Sequence, residues 1–383
     1  MSRNTRMALP AAAAGLVSLS IAIGIGRFVY TPILPVMAEA LGLSRFVAGL
    51  LASANFAGYL AGALFAAGRL PGARHAWLVG ALAASAVTTG AMGFTTVLPV
   101  LIALRFAGGV ASALGLVLAS AIVLEVLVEA GQVRLSSLLF AGVGAGITVS
   151  AVLVSALRAV GIGWSGMWVA SGALSLLGAA VVALLMPSGE ALLAQAREGR
   201  AVVSPALVRL IAAYGLFGFG YVITATFLVA IVRADPHLRV LEPVIWVVVG
   251  LAATPSVALW TRFAGKIGLA QAFALASLVE AVGVAASVAW RTEAGVFLAA
   301  VLLGGTFVGI TALGLVRARA IAGGGGRQVL ALMTSAFGLG QIIGPSFAGW
   351  LAQGRAGAIG GFGAPSAVAA AALVVAALLA RKG

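Results

Sequence analysis

The sequence predicts an all-α membrane protein, with twelve transmembrane helices in two pseudo-symmetric six-helix bundles. Three observations predict it. The first is composition: 62% of residues are hydrophobic and only 8% charged, against about 25% charged in a soluble domain. The second is a series of twelve apolar runs, at 9–37, 46–69, 75–96, 98–124, 134–157, 164–186, 206–233, 243–264, 270–289, 294–317, 327–352 and 365–381. One bilayer crossing takes about 20 apolar residues, and the short loops leave no room for a soluble domain. The third is an internal repeat. Gly24-Ile-Gly-Arg-Phe-Val-Tyr-Thr-Pro-Ile-Leu-Pro35 is echoed by Gly218-Phe-Gly-Tyr-Val-Ile-Thr-Ala-Thr-Phe-Leu-Val229, 194 residues later (218 − 24). Gly108-Gly109 matches Gly304-Gly305, and Gly142-Val-Gly144 matches Gly338-Leu-Gly340, both at an offset of 196 (304 − 108 and 338 − 142). The bundles are therefore expected at 1–186 and 206–383, joined by a cytoplasmic linker at 187–205.

Each span follows from its own residues. Span 1 holds Arg27 deep in an apolar run, with Tyr30 beside it, and Pro32 and Pro35 remove helical hydrogen bonds and favour a kink. Arg3, Arg6 and the run from Ala8 to Ile25 mimic a secretory signal. The apolar stretch continues to Met37, so it reads as an uncleaved first span. Span 2 carries Asn55, Tyr59 and the glycine pair Gly58/Gly62, whose spacing of four lets a neighbouring backbone approach closely. Span 3 has no charged residue in its apolar centre. Span 4 carries Arg105 ahead of Gly108-Gly109, and span 5 carries Gly142/Gly146. Span 6 ends the first bundle at Met186-Pro187. In the linker, Leu192 and Leu193 stand against Arg197 and Glu198, either as a surface helix or as a plain tether. Span 7 repeats span 1 with Tyr221 in the place of Arg27, and Thr224 and Phe227 follow at spacings of three, on one helix face. Span 8 contains Pro255, span 9 has Glu280 at its middle, and span 10 has Gly305/Gly309 before the loop Gly323–Gly326. Span 11 carries Phe337, Gln341, Gly340/Gly344 and Pro345, and span 12 ends at Arg381.

The net charge of +14 does not indicate nucleic-acid binding, because the basic residues are spread over loops rather than gathered in a patch. With both termini in the cytoplasm, fifteen of the 23 Lys and Arg residues fall on the cytoplasmic side and six opposite; Arg27 and Arg105 lie inside spans. That bias sets the orientation expected of a multi-pass protein of a bacterial cytoplasmic (inner) membrane, both termini inside; a monomer is expected, independently of that bias. Its expected partners are the lipid bilayer and a small molecule. The absence of cysteine excludes disulfides and thiol chemistry. The two histidines, His75 and His237, fall in or near loops, so neither a metal nor another cofactor is expected. An enzyme would want a nucleophile–base pair or paired acids, and a receptor would want an interaction domain; the chain offers neither.

The twelve spans in two related halves, with Arg105 followed by Gly108-Gly109, resemble the major facilitator superfamily. The two long echoes, together with Gly304-Gly-Thr-Phe-Val-Gly309 and Ala336-Phe-Gly-Leu-Gly-Gln-Ile-Ile-Gly-Pro345, resemble its YbfB/YjiJ-type subfamily over nearly the whole chain. The resemblance implies an alternating-access carrier with helices 1, 4, 7 and 10 around a central cavity and helices 3, 6, 9 and 12 outside. It implies a conformational or proton-coupling role for Arg105. Two departures stand out. The superfamily's loop between helices 2 and 3 reads Gly-x-Leu-Ala-Asp-Arg; here Gly62-Ala-Leu-Phe-Ala-Ala-Gly-Arg69 lacks the aspartate of the inter-domain charge latch. The antiporter-type motif of helix 5 ends in Gly-Pro, whereas Gly142-Val-Gly-Ala-Gly-Ile-Thr148 has no proline.

Function is expected to reside in the charges inside spans. A charge at the bilayer centre costs at least about 2.5–3.5 kcal/mol, so Arg27, Arg105 and Glu280 each need a reason. Arg27 lies about 6 Å beyond the middle of span 1, and Arg105 about 9 Å short of the middle of the oppositely directed span 4, which places both at similar depth. Two guanidinium groups there can hold a carboxylate or sulfonate, or Arg105 can bond to helix 1 carbonyls that Pro32 or Pro35 leaves free. Tyr30, Asn55, Tyr59, Tyr221, Thr224, Phe227, Phe337 and Gln341 are the other candidates for a substrate site between the halves. Glu280 and Arg105 are candidates for proton coupling, with Glu280 on a helix expected to be peripheral. The expected function is secondary transport of a small organic anion, with proton-coupled efflux of drug-like or cationic compounds as the alternative.

Overall fold

The structure is a computed structural model that describes residues 3–68, 70–186, 204–322, 326–354 and 361–381. Arg69, most of the linker with its Leu192/Arg197 stretch, and Gly323–Gly325 lie outside the described residues. The described residues are helical, without strands. Eleven helices are long and apolar enough to span a bilayer: α1 (Met7–Leu41), α2 (Arg45–Ala66), α3 (Arg74–Phe94), α4 (Leu98–Glu129), α5 (Val133–Ala159), α6 (Trp164–Leu185), α7 (Pro205–Ala234), α9 (Leu269–Ala289), α10 (Glu293–Ala322), α11 (Gln328–Ala352) and α12 (Gly363–Arg381). The remaining span, α8, is the pair Arg239–Ala253 and Ser256–Ile267, bent by 43°. Pro255 sits at that break, where its missing N–H ends the helical ladder. Pro345, by contrast, lies within one continuous helix.

Two six-helix bundles, α1–α6 and α7–α12, pack on each other through repeat-related seams. On one side α2 lies along α11; on the other, α5 lies along α8. Both seams are glycine-lined. A Cβ on Gly49 would lie 2.2 Å from the Pro345 carbonyl oxygen, and one on Gly144 would lie 2.3 Å from the Thr254 nitrogen. The backbones meet at van der Waals range, and no larger side chain fits between them. Helices α3 and α6 pack together on one flank, and α9 packs on α12 on the other. Their outer faces expose Val87, Leu177, Leu184, Val282 and Leu378, the apolar surface that a bilayer covers. On α9 the opposite stripe, Phe273, Ser277, Glu280, Val284 and Ser287, is fully buried. The helix is peripheral, and Glu280 occupies its inner face.

Helices α1 and α7 cross between the bundles. Thr31 Oγ1 donates to the Ala225 carbonyl at 2.7 Å, and Arg233 pairs with Glu39. Each contact joins residues 194 apart, the offset of the sequence echo. A residue can touch its own repeat counterpart only on the axis that relates the halves. The Arg233 contact lies at the distal end of the molecule, away from both termini. There Glu242 accepts Arg233 at 3.2 Å and also pairs with Arg158 of the other half. A ladder Glu39–Arg233–Glu242–Arg158 thus starts and ends in the first half and crosses between the halves twice, and Ser155 adds a hydrogen bond to the Pro243 carbonyl at 2.6 Å. Nearby, within the second half, Arg291 holds the Asp235 carboxyl at 2.7 Å and lowers its pKa below the ordinary carboxylate range. At the terminal end the ion pair Arg74–Glu125 stays within one half, joining α3 to α4 at 3.2 Å.

Candidate functional site

Arg27 sits where α1 stops being an α-helix. Residues Ser20–Ile25 form a π-helical turn, Gly26–Val29 continue as hydrogen-bonded turns, and the α-helix resumes at Tyr30. The sequence explains the break. Gly24 lies against the Gly146 backbone of α5, where a Cβ would approach to 2.5 Å. The Gly26 N–H reaches back five residues to Ile21 O at 2.8 Å, which leaves Ala22 O free for the Ser112 hydroxyl of α4. Pro32 has no N–H to offer Phe28 O, which accepts from Thr31 N instead at 3.2 Å. Irregular turns of this kind inside helices are frequent at functional sites. All residues from Ile21 to Pro35 are buried.

Arg27 is only 6% exposed. The centre of its guanidinium lies 4.5 Å from the Phe56 ring, 4.4 Å from the Tyr59 ring and 5.5 Å from the Phe28 ring. Such contacts are worth about 0.5–2 kcal/mol each and offset part of the burial cost. Nε and Nη2 have no hydrogen-bond partner. Those two nitrogens lie on the same edge of the planar group, with their N–H bonds roughly parallel, and that edge can engage both oxygens of one carboxylate.

Arg105 is held differently. Its Nε donates to Leu51 O at 3.3 Å, and its backbone carbonyl accepts Asn55 Nδ2 at 2.9 Å. Its guanidinium lies 4.7 Å from the Tyr30 ring and 5.9 Å from the Trp168 ring. Tyr30 in turn donates to Ala48 O at 2.7 Å. Arg105, Tyr30 and Asn55 therefore knit α1, α2 and α4 together, and Arg105 is within electrostatic range of Arg27.

Across the axis stands an aromatic stack. The Tyr221 ring is 5.6 Å from Phe307 at 8°, 5.8 Å from Phe337 at 5° and 5.1 Å from Phe217 at 22°. Gln341 Nε2 donates to the Tyr221 hydroxyl, which leaves Gln341 Oε1 without a partner. Phe28 connects the two halves, edge-on to Phe307 at 5.7 Å and 6.2 Å from Trp246. Arg27 and Glu280 both act electrostatically on Tyr221. Neither carboxyl oxygen of Glu280 has a donor. Thr224 is buried with its hydroxyl unpartnered.

The structure brings Arg27, Tyr59, Tyr221, Phe337 and Gln341 into one region, with Arg105, Tyr30 and Asn55 behind them. Phe227 lies apart, its ring 4.6 Å from Phe362. Six residues of helix turn a side chain by about 600°, some 120° short of two turns, so Phe227 leaves the face that Tyr221 occupies. Phe28, Phe56, Phe307 and Trp246 belong to the site although nothing marks them as polar anchors. The usable signal was the Phe56/Tyr59 spacing of three on one face of α2. Among the described residues no group of acidic or histidine side chains is placed to hold a metal.

Two repeat-related six-helix bundles, with α1 and α7 meeting between them beside a buried charge, define a membrane transporter of the major facilitator superfamily. The chain belongs to the family described as uncharacterised MFS-type transporter YbfB, whose sequence profile matches residues 19–381. Among curated proteins none matches the sequence. Solved structures agree on the fold. The nucleoside transporter NupG superposes with a TM-score of 0.75 at 15% identity, covering 98% of each chain. A bacterial homolog of the human lysosomal transporter Spinster, inward-facing and unoccupied, superposes with a TM-score of 0.71 at 14% identity, covering 100% of this chain and 97% of the other.

Proposed function

We propose that the protein is a secondary carrier of a small organic anion, a carboxylate or sulfonate, bound between the bundles and exposed to each side in turn. The observation that carries this reading is the buried, unpartnered Nε/Nη2 edge of Arg27, a permanent charge in an aromatic enclosure. Water-poor surroundings strengthen its attraction for an anion. Tyr59, Tyr221, Phe337 and Gln341 line the same region, Thr224 offers a free hydroxyl beyond it, and Arg105 with Tyr30 and Asn55 supports the Arg27 side. Phe227 is a remote member of the set. Glu280, buried behind Tyr221 with no donor on either oxygen, takes up and releases the coupling proton, with Arg105 linking α4 to the movement of α1. The carrier works as a monomer in the cytoplasmic membrane of a bacterium, both termini inside.

Ligand-induced thermal stabilisation of the purified protein tests the reading. Carboxylates and sulfonates are expected to raise the unfolding temperature by several degrees at saturating concentration, since a ligand at 100 times its Kd adds about 2.7 kcal/mol to the folded state. Arg27→Gln is expected to remove that shift while still folding. Stabilisation by lipophilic cations alone, or an undiminished anion shift in Arg27→Gln, overturns the anion site.

A further inference from the structure

The surroundings of Arg27 narrow the class of anion. A carboxylate on the Nε/Nη2 edge lies in the plane of the guanidinium. The Phe56 and Tyr59 rings flank that guanidinium at 4.5 and 4.4 Å. In an aromatic acid the ring is conjugated with its carboxylate and favours the same plane, so it extends outward as a flat plate. On the other side of the axis Phe307 and Phe337 each lie within 8° of the plane of Tyr221. Parallel, offset rings of this kind accept a further flat ring on their faces. The two groups are contiguous: Phe28, next to Arg27 in the chain, touches Phe307 at 5.7 Å, and Tyr221 lies within the electrostatic reach of Arg27. An aliphatic acid of the same size makes no use of the stack.

We infer that the transported anion is a planar aromatic carboxylate, its carboxylate on the open edge of Arg27 and its ring against the Tyr221–Phe307–Phe337 stack. The inference rests on the organic-anion reading and specifies its substrate class. Gln341 Oε1, an unpartnered acceptor beside the Tyr221 hydroxyl, adds a place for a ring hydroxyl or amino donor.

Calorimetric titration of the full-length protein with benzoate and with cyclohexanecarboxylate separates ring from charge, because the two acids share charge and approximate size. Benzoate is expected to bind about tenfold more tightly, the scale of a ring-stacking contribution. Phe337→Leu, or Phe307→Leu if the first does not fold, is expected to cut that ratio to about threefold or less. The wild-type pair decides the question even if both variants misfold. Equal affinities for the two acids, with both lost in Arg27→Gln, overturn the aromatic assignment and leave the anion reading intact. Binding of acetate or methanesulfonate but not benzoate has the same meaning. Failure of every anion to bind overturns the anion reading and this inference with it.

Discussion

At position 27 of α1 stands an arginine; at its repeat counterpart in α7, 194 residues on, stands Tyr221. The two helices began from one pattern and meet on the axis between the halves, where Thr31 bonds to Ala225. Helix α1 departs from α geometry over Ser20–Val29, whereas α7 is α-helical from Pro205 to Ala234. The sequence accounts for the difference: Pro32 and Pro35 have Thr226 and Val229 as counterparts, so α7 keeps every N–H that α1 lacks. One repeat presents a charge with a free edge from a loosened turn; the other presents a rigid, stacked wall. Duplication supplied a symmetric frame, and divergence at a few positions made its two faces complementary instead of identical.

Three substitutions break or sharpen that comparison, from the largest expected effect to the smallest. The first concerns the distal ends of the two helices. Glu242 is buried and accepts arginines from both halves. Glu242→Gln leaves Arg158 and Arg233 without its charge and is expected to weaken the contact between the halves at the distal end by up to about 3 kcal/mol, the low end of the range for breaking a buried pair, because both arginines are partly exposed. Increased labelling of a reporter cysteine placed at the distal end measures it; unchanged labelling means that the ladder does not hold the halves together. The second concerns the rigid wall. Tyr221→Phe keeps the ring and leaves the Gln341 amide unpartnered in an apolar core, at an expected cost of about 1–3 kcal/mol in thermal stability. A neutral result would show that stacking alone sets the rigidity of α7. The third concerns the axis contact. Thr31→Val removes one hydrogen bond between repeat counterparts, and membrane-buried bonds of this kind average about 0.6 kcal/mol. A loss of stability well above that value would make Thr31 part of a larger network.

The sequence by itself determined the class of fold. Composition forced the chain into a bilayer, where every backbone polar group must be satisfied internally and helices are the natural solution. The echo at 194 residues then fixed two bundles and an axis, because sequence repeats record structural ones. It also marked Arg27, Arg105 and Glu280, since charges in apolar runs are costly and conspicuous. What it left open was where each side chain points. Only packing showed that Arg105 is bound to the backbone of α2 while Arg27 keeps a free edge. Only packing turned Glu280 inward on a peripheral helix and carried Phe227 away from Tyr221. The aromatic members Phe28, Phe56, Phe307 and Trp246 were unmarked for the same reason: in an apolar span one phenylalanine reads like another. Which of them faces the axis depends on the rotation of each helix against its neighbours. That rotation is set by contacts between residues far apart in sequence, and it follows from no local pattern.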